Sequence, residues 1–108
     1  MDVIELPTFD NTIGFETLTV AGTVGTLSAS EYIDGFKDAR AALITLDGTA
    51  GTNDIRFTTD GTDPVATTTG HKLVAGKTLI IRGFGNISKF KAIREGGTSG
   101  VIQVSYYR

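Results

Sequence analysis

Residues 54–64 read DIRFTTDGTDP. The first half alternates. Ile55 and Phe57 fall on one face and Arg56 and Thr58 on the other, the period-two signature of a strand. The second half stops it. Asp60-Gly61 favours positive φ and a tight reversal, and Asp63 ahead of Pro64 can hydrogen-bond its own backbone. A second reading takes Asp54, Asp60 and Asp63 as oxygen ligands for calcium. The spacing is not that of an EF-hand loop, which needs more oxygen ligands and a terminal glutamate. Chain reversal is the reading adopted.

The same pattern extends in both directions. Gly-rich and Asp-Gly punctuation recurs along a chain with 14 Gly and 17 Thr. Val and Ile together outnumber Leu, a composition of strands and turns. Strands are predicted over 12–21, 22–29, 39–46, 54–59, 77–83, 88–95 and 100–108. In the first, the register changes near Glu16–Thr17, which predicts a bulge there. In the second, Val24 and Leu27 are the apolar positions. The 39–46 and 77–83 segments are apolar on both faces and read as central strands. In the last, Ile102, Val104 and Tyr106 share one face; Gln103, Ser105 and Tyr107 share the other. One helix candidate, SASEYIDGFKDA (28–39), has Ser28 and Glu31 at capping-box spacing, but Gly35 limits it to a short piece.

The chain has 108 residues, the size of one domain. Residues 1–10 are expected to form an extended arm, since Pro7 keeps them from a central strand, or to fray. Residues 11–108 are expected to form one all-β sandwich, immunoglobulin-like or jelly-roll-like, of about seven to eight mainly antiparallel strands. The expected core is Phe15, Leu18, Val20, Leu43, Ile44, Leu46, Ile55, Phe57, Leu79, Ile81, Phe90, Ile93, Ile102, Val104 and Tyr106.

Charge is unevenly placed. Residues 1–64 hold three Lys/Arg against eleven Asp/Glu, and residues 65–108 hold seven against one. Either the halves interleave and the charges mix, or an acidic and a basic face meet head-to-tail between subunits. There is no cysteine, hence no disulfide or Cys-zinc site, and the one histidine excludes a multi-His metal centre. No apolar run is long enough for a membrane helix, and the acidic N-terminus lacks a signal-peptide pattern. Cytoplasmic synthesis is the expectation.

Few residues can carry chemistry. His71, between Gly70 and Gly76, would need a nucleophile and an orienting acid nearby, and no G-x-S-x-G elbow is present. It reads as structural. RGFGN (82–86) contains G-x-G without the rest of a dinucleotide fingerprint; Gly83 and Gly85 read as a bulge or corner. SKFKAIRE (88–95) sets Lys89, Lys91 and Arg94 around Phe90 and Ile93. That pattern fits an edge strand kept soluble by its lysines or a protein interface better than a nucleic-acid groove. In VSYYR, Tyr106 and Tyr107 point to opposite faces, one into the core. No catalytic, cofactor-binding or metal-ligating residue is assigned, and no cofactor is expected.

The ordered pieces ALIT, RFTTDGTDPVAT, GHKL, AGKTLII, FKAIR and VSYY, within residues 39–108, resemble small structural proteins of tailed bacteriophages and prophages. The resemblance implies a non-enzymatic virion protein, a capsid decoration or cement subunit, or alternatively a tail or head–tail junction component. It implies the major capsid protein or other virion proteins as partners, a homo-oligomer with a trimer among the options, no membrane or nucleic-acid partner, and residence in the virion after synthesis in the bacterial host cytoplasm. A shorter likeness joins IRFTTDGTDP to the Y-T-x-D-G-S-x-P segment of immunoglobulin-like domains in some chitobiases and other glycosidases. It supports a similar fold, and a carbohydrate-binding module is the competing class. The absence of Trp counts against that class.

Overall fold

A computed structural model of the protein describes residues 11–34 and 37–108; the arm expected over residues 1–10 lies outside them. The elements in chain order are β1 (Thr12–Val20), β2 (Gly25–Thr26), α1 (Ala29–Tyr32), β3 (Ile33–Asp34), β4 (Lys37–Asp38), β5 (Ala41–Leu46), β6 (Ile55–Thr58), β7 (His71–Leu73), β8 (Thr78–Arg82), α2 (Phe84–Ser88), β9 (Lys91–Arg94) and β10 (Gly100–Tyr107). Apart from a small β3–β4 hairpin, the strands make two four-stranded antiparallel sheets. Sheet A runs β1-β10-β5-β8 and sheet B runs β2-β9-β6-β7.

One rule generates this order. Of the eight sandwich strands, the sequence extremes pair first: β1 with β10, then β2 with β9, β5 with β8, and β6 with β7. The chain is a nested hairpin. Rolling it sets β10 against β5 and β9 against β6. The result is a jelly roll, which settles between the two sandwich types that strand alternation left open.

Between the sheets lie Val20, Ile44, Leu46, Ile55, Phe57, Ile81, Phe90, Ile102, Val104 and Tyr106, all buried as expected. Leu18 and Leu79 pack partly buried against them. Each large side chain removed from water here stabilises the fold by about 1.5–3 kcal/mol. Three expected core residues lie elsewhere. Phe15 is 55% exposed. The irregularity in β1 falls between Thr12 and Gly14 rather than at Glu16–Thr17. From Gly14 onward the alternation is unbroken, so Gly14, Glu16, Leu18 and Val20 face inward and Phe15 faces out. Leu43 and Ile93 are half-buried on outer faces, each flanked by inward residues. Leu27, Tyr32, Leu73 and Ile87 are buried in addition to the expected set.

Element assignments shift as well. The strand expected over 22–29 shrinks to Gly25–Thr26, with Leu27 buried and Val24 exposed. The 77–83 strand, expected to be central, is β8 at the edge of sheet A, and the lysine-bearing strand expected at an edge is β9, between β2 and β6. The corner at Gly83 is real, with φ of 95°, but it opens the helical turn α2 instead of a bulge. Ser28 does precede α1, yet no side-chain cap forms. Its N–H donates instead to Glu16 Oε2 at 3.0 Å.

Gly14 explains how α1 sits so close to β1. A Cβ there would collide with the Glu31 backbone carbonyl. Gly14→Ala should therefore lift α1 from the sheet at a cost of about 1–3 kcal/mol, readable as a lowered urea midpoint. Gly100 shows a similar close approach, its hypothetical Cβ lying 2.6 Å from the Asn53 carbonyl oxygen.

Candidate functional site

The turn after β6 and the start of β7 converge. Phe57 pairs with His71 across the β6–β7 ladder. Their rings lie 5.5 Å apart. Beside them a shallow cleft of about 360 Å³ is lined by Thr58, Thr59, Asp60, Thr62, Gly70 and His71. Gly61 has φ of 87°, as an Asp-Gly reversal requires. The backbone-capping role expected of Asp63 belongs to Asp60, whose Oδ1 accepts the Thr62 N–H at 2.9 Å. That bond holds the Asp60 carboxyl below the usual carboxylate range. The Thr58 hydroxyl donates to the Thr62 carbonyl. Asp63 instead meets Lys91 Nζ at 2.7 Å. The three aspartates of the opening stretch thus serve three separate structural tasks, and no metal-holding group of three or more His, Asp or Glu occurs among the described residues.

Asp54 has the third task. It is buried, and its Oδ1 accepts the Ala75 N–H at 2.9 Å and the Gly51 N–H at 3.1 Å. Lys72 Nζ stands 3.7 Å from Oδ2. The Ala75 N–H is the main cause of a lowered Asp54 pKa, opposed by burial and assisted by Gly51 and Lys72. One carboxylate so ties together the loop before β6, strand β7 and the turn into β8.

The uneven charge is absorbed by interleaving. Each sheet takes strands from both halves of the chain. Arg56–Glu95, Lys72–Asp54 and Lys91–Asp63 all join one half to the other. Lys91 is therefore occupied, and Arg94 lies half-buried against Gly22.

The outer face of sheet A differs. Phe15, Ser105, Leu43 and Ile80 align in one cross-strand row. Beside it run Thr12, Tyr107, Ala41 and Arg82, and on the other side Thr17, Gln103, Thr45 and Thr78. Of these twelve outer-row positions only Arg82, at one corner, is charged, and Ala41 is fully covered. Gln103 bridges the polar row: it accepts from Thr17 and donates to Asp47 Oδ2 at 2.9 Å, placing Asp47 at the opposite end. Tyr107 is half-buried here while Tyr106 is fully buried, the split expected of adjacent strand residues. The sequence reading missed this surface because it counted Phe15 and Leu43 as core. The cleft threonines also went unnoticed; the concentration of Thr around Asp60 was their one signal.

Comparison with family models, with curated proteins and with solved structures finds no match. The fold and these two surfaces define the class: an all-β jelly roll with a shallow polar cleft and a broad uncharged sheet face.

Proposed function

We propose that this chain is a non-enzymatic structural protein of a bacteriophage particle, a subunit that decorates or cements the capsid by docking on the major capsid protein or other virion proteins. The observation that carries this reading is the uncharged outer face of sheet A, with Phe15 standing 55% exposed at its edge. A flat face of this kind suits repeated passive contacts, and weak contacts repeated at many sites give large avidity. The ordered motifs over residues 39–108 support it, as does the fold by analogy, since viral capsid domains are among the hosts of jelly rolls. A place in the tail or head–tail junction follows from the same surface. The protein is made in the host cytoplasm and resides in the virion.

The test is co-sedimentation with undecorated capsid shells. Saturable binding, weakened at least tenfold by Phe15→Lys, is expected. Failure to bind any shell or tail preparation from a matching phage removes the reading.

The cleft favours a second reading, a carbohydrate-binding module. Its carboxylate, imidazole and threonine hydroxyls are sugar-compatible groups, and His71 backed by Phe57 offers a flat ring. Saturable glycan binding abolished by His71→Ala, with no affinity for shells, would move the assignment there.

A further inference from the structure

We infer that the outer face of sheet A pairs with the same face of a second copy about a two-fold axis. This inference rests on the docking role proposed for that face and names as its occupant a second copy of the chain, itself one of the virion proteins that role allows, in place of the capsid shell. The middle of the face offers nothing that would reject an identical surface. Phe15, Leu43 and Ile80 are apolar, and Thr17, Ser105, Gln103, Thr45 and Thr78 are neutral. Like charges opposed across an interface would be costly, and none stand there.

The ends of the face are what make it self-complementary. Arg82 lies across from Ala41 at the first end of β5, where Arg40 is also exposed. Asp47 follows Leu46 at the other end and is held on the outer side through Gln103. Lys77, exposed, precedes β8 at the Asp47 end, on the opposite parity from Thr78. An axis lying in the interface and across the strands reverses strand direction between copies. It sets the Arg82 end of each over the Asp47 end of its partner, so the same contact is made twice. An axis parallel to the strands would set Arg82 over the Thr12 edge of the partner and bring no Asp47 to it, and is disfavoured.

The size of the face sets the strength. Four strands about 4.8 Å apart and six residues at about 3.4 Å each give a plan of roughly 15 by 20 Å. That is small beside the roughly 800 Å² per partner of standard interfaces, so the pair is weak and reversible in solution. Held in an array on a particle, it would link neighbouring copies through avidity.

Sedimentation of the full chain over a concentration range tests the pairing. The weight-average mass should rise toward twice the monomer between about 10 µM and about 500 µM, the range of a weak interface. Phe15→Lys, Asp47→Arg and Arg82→Asp should each weaken association at least tenfold. Mixing Asp47→Arg with Arg82→Asp should restore it, because the mixed pair regains both contacts. A chain that stays monomeric throughout, or a dimer indifferent to all three substitutions, overturns the inference. Shell binding separates the two proposals: a monomer that coats shells loses the pairing and keeps the virion role, and a dimer that ignores shells does the reverse.

Discussion

Tyr106→Ala should lower the stability of this domain by about 3–5 kcal/mol, the largest effect of any single truncation considered. Tyr106 is fully buried on β10. Its ring lies 5.8 Å from Tyr32, which lies 5.8 Å from Phe84, so one chain of edge-on and tilted ring contacts fastens α1 and α2 over the sheet. Its hydroxyl donates to Glu16 Oε2 at 2.7 Å. Burial, then the Glu16 carboxylate, raises its pKa, so the hydroxyl remains protonated and donating. Truncation opens a cavity and strips Glu16 of its phenolic donor. Tyr106→Phe separates the two losses: the ring stays, Ser28 still serves Glu16, and the cost should fall to about 1–2 kcal/mol. Urea unfolding measures both, and an unchanged slope with a shifted midpoint identifies a stability change. A Phe variant as damaged as the Ala variant would mean that the hydroxyl, not the packing, dominates.

Asp54→Ala is next, at about 3 kcal/mol. It removes the acceptor of two backbone N–H groups, and the Ala75 N–H has no water to replace it inside the fold. The same carboxylate predicts acid sensitivity. Its pKa is lowered on folding. Its contribution is therefore complete above the unfolded carboxylate range, about 4, and is lost as pH falls through the lower folded value. Asp54→Asn keeps an acceptor but cannot ionise. Unfolding measured between neutral and strongly acidic pH should show a shallower acid decline for Asn than for the parent chain. Parallel declines would assign acid sensitivity to other carboxylates.

How much of this was legible from residues alone depends on length and locality. β5, β6 and β10 declare themselves because several consecutive positions alternate or stay apolar. β2 and β7 do not, since two or three residues such as Gly25–Thr26 carry no period. α2 is hidden by Gly85 inside it, and its helical turn follows from the corner at Gly83 and the burial of Ile87. Phe15 was misplaced because one irregularity, set three or four residues away from its expected place, reverses the facing of every residue between. The Asp-Gly reversal at 60–61 was readable from local chemistry. That His71 completes a cleft beside it was not, because cross-strand register is a tertiary fact. The same holds for the choice of a jelly roll over an immunoglobulin sandwich: both have the same strands, and only pairing distinguishes them.

The nested pairing has a consequence for biosynthesis. Every ladder of the hairpin joins a strand from before residue 65 to one after it. During translation β1, β2, β5 and β6 therefore emerge before their sheet neighbours, and β1 waits for β10. Such remote closure is slow to form. The waiting segment carries three basic against eleven acidic residues, a net of −8, until the cationic remainder arrives to neutralise it.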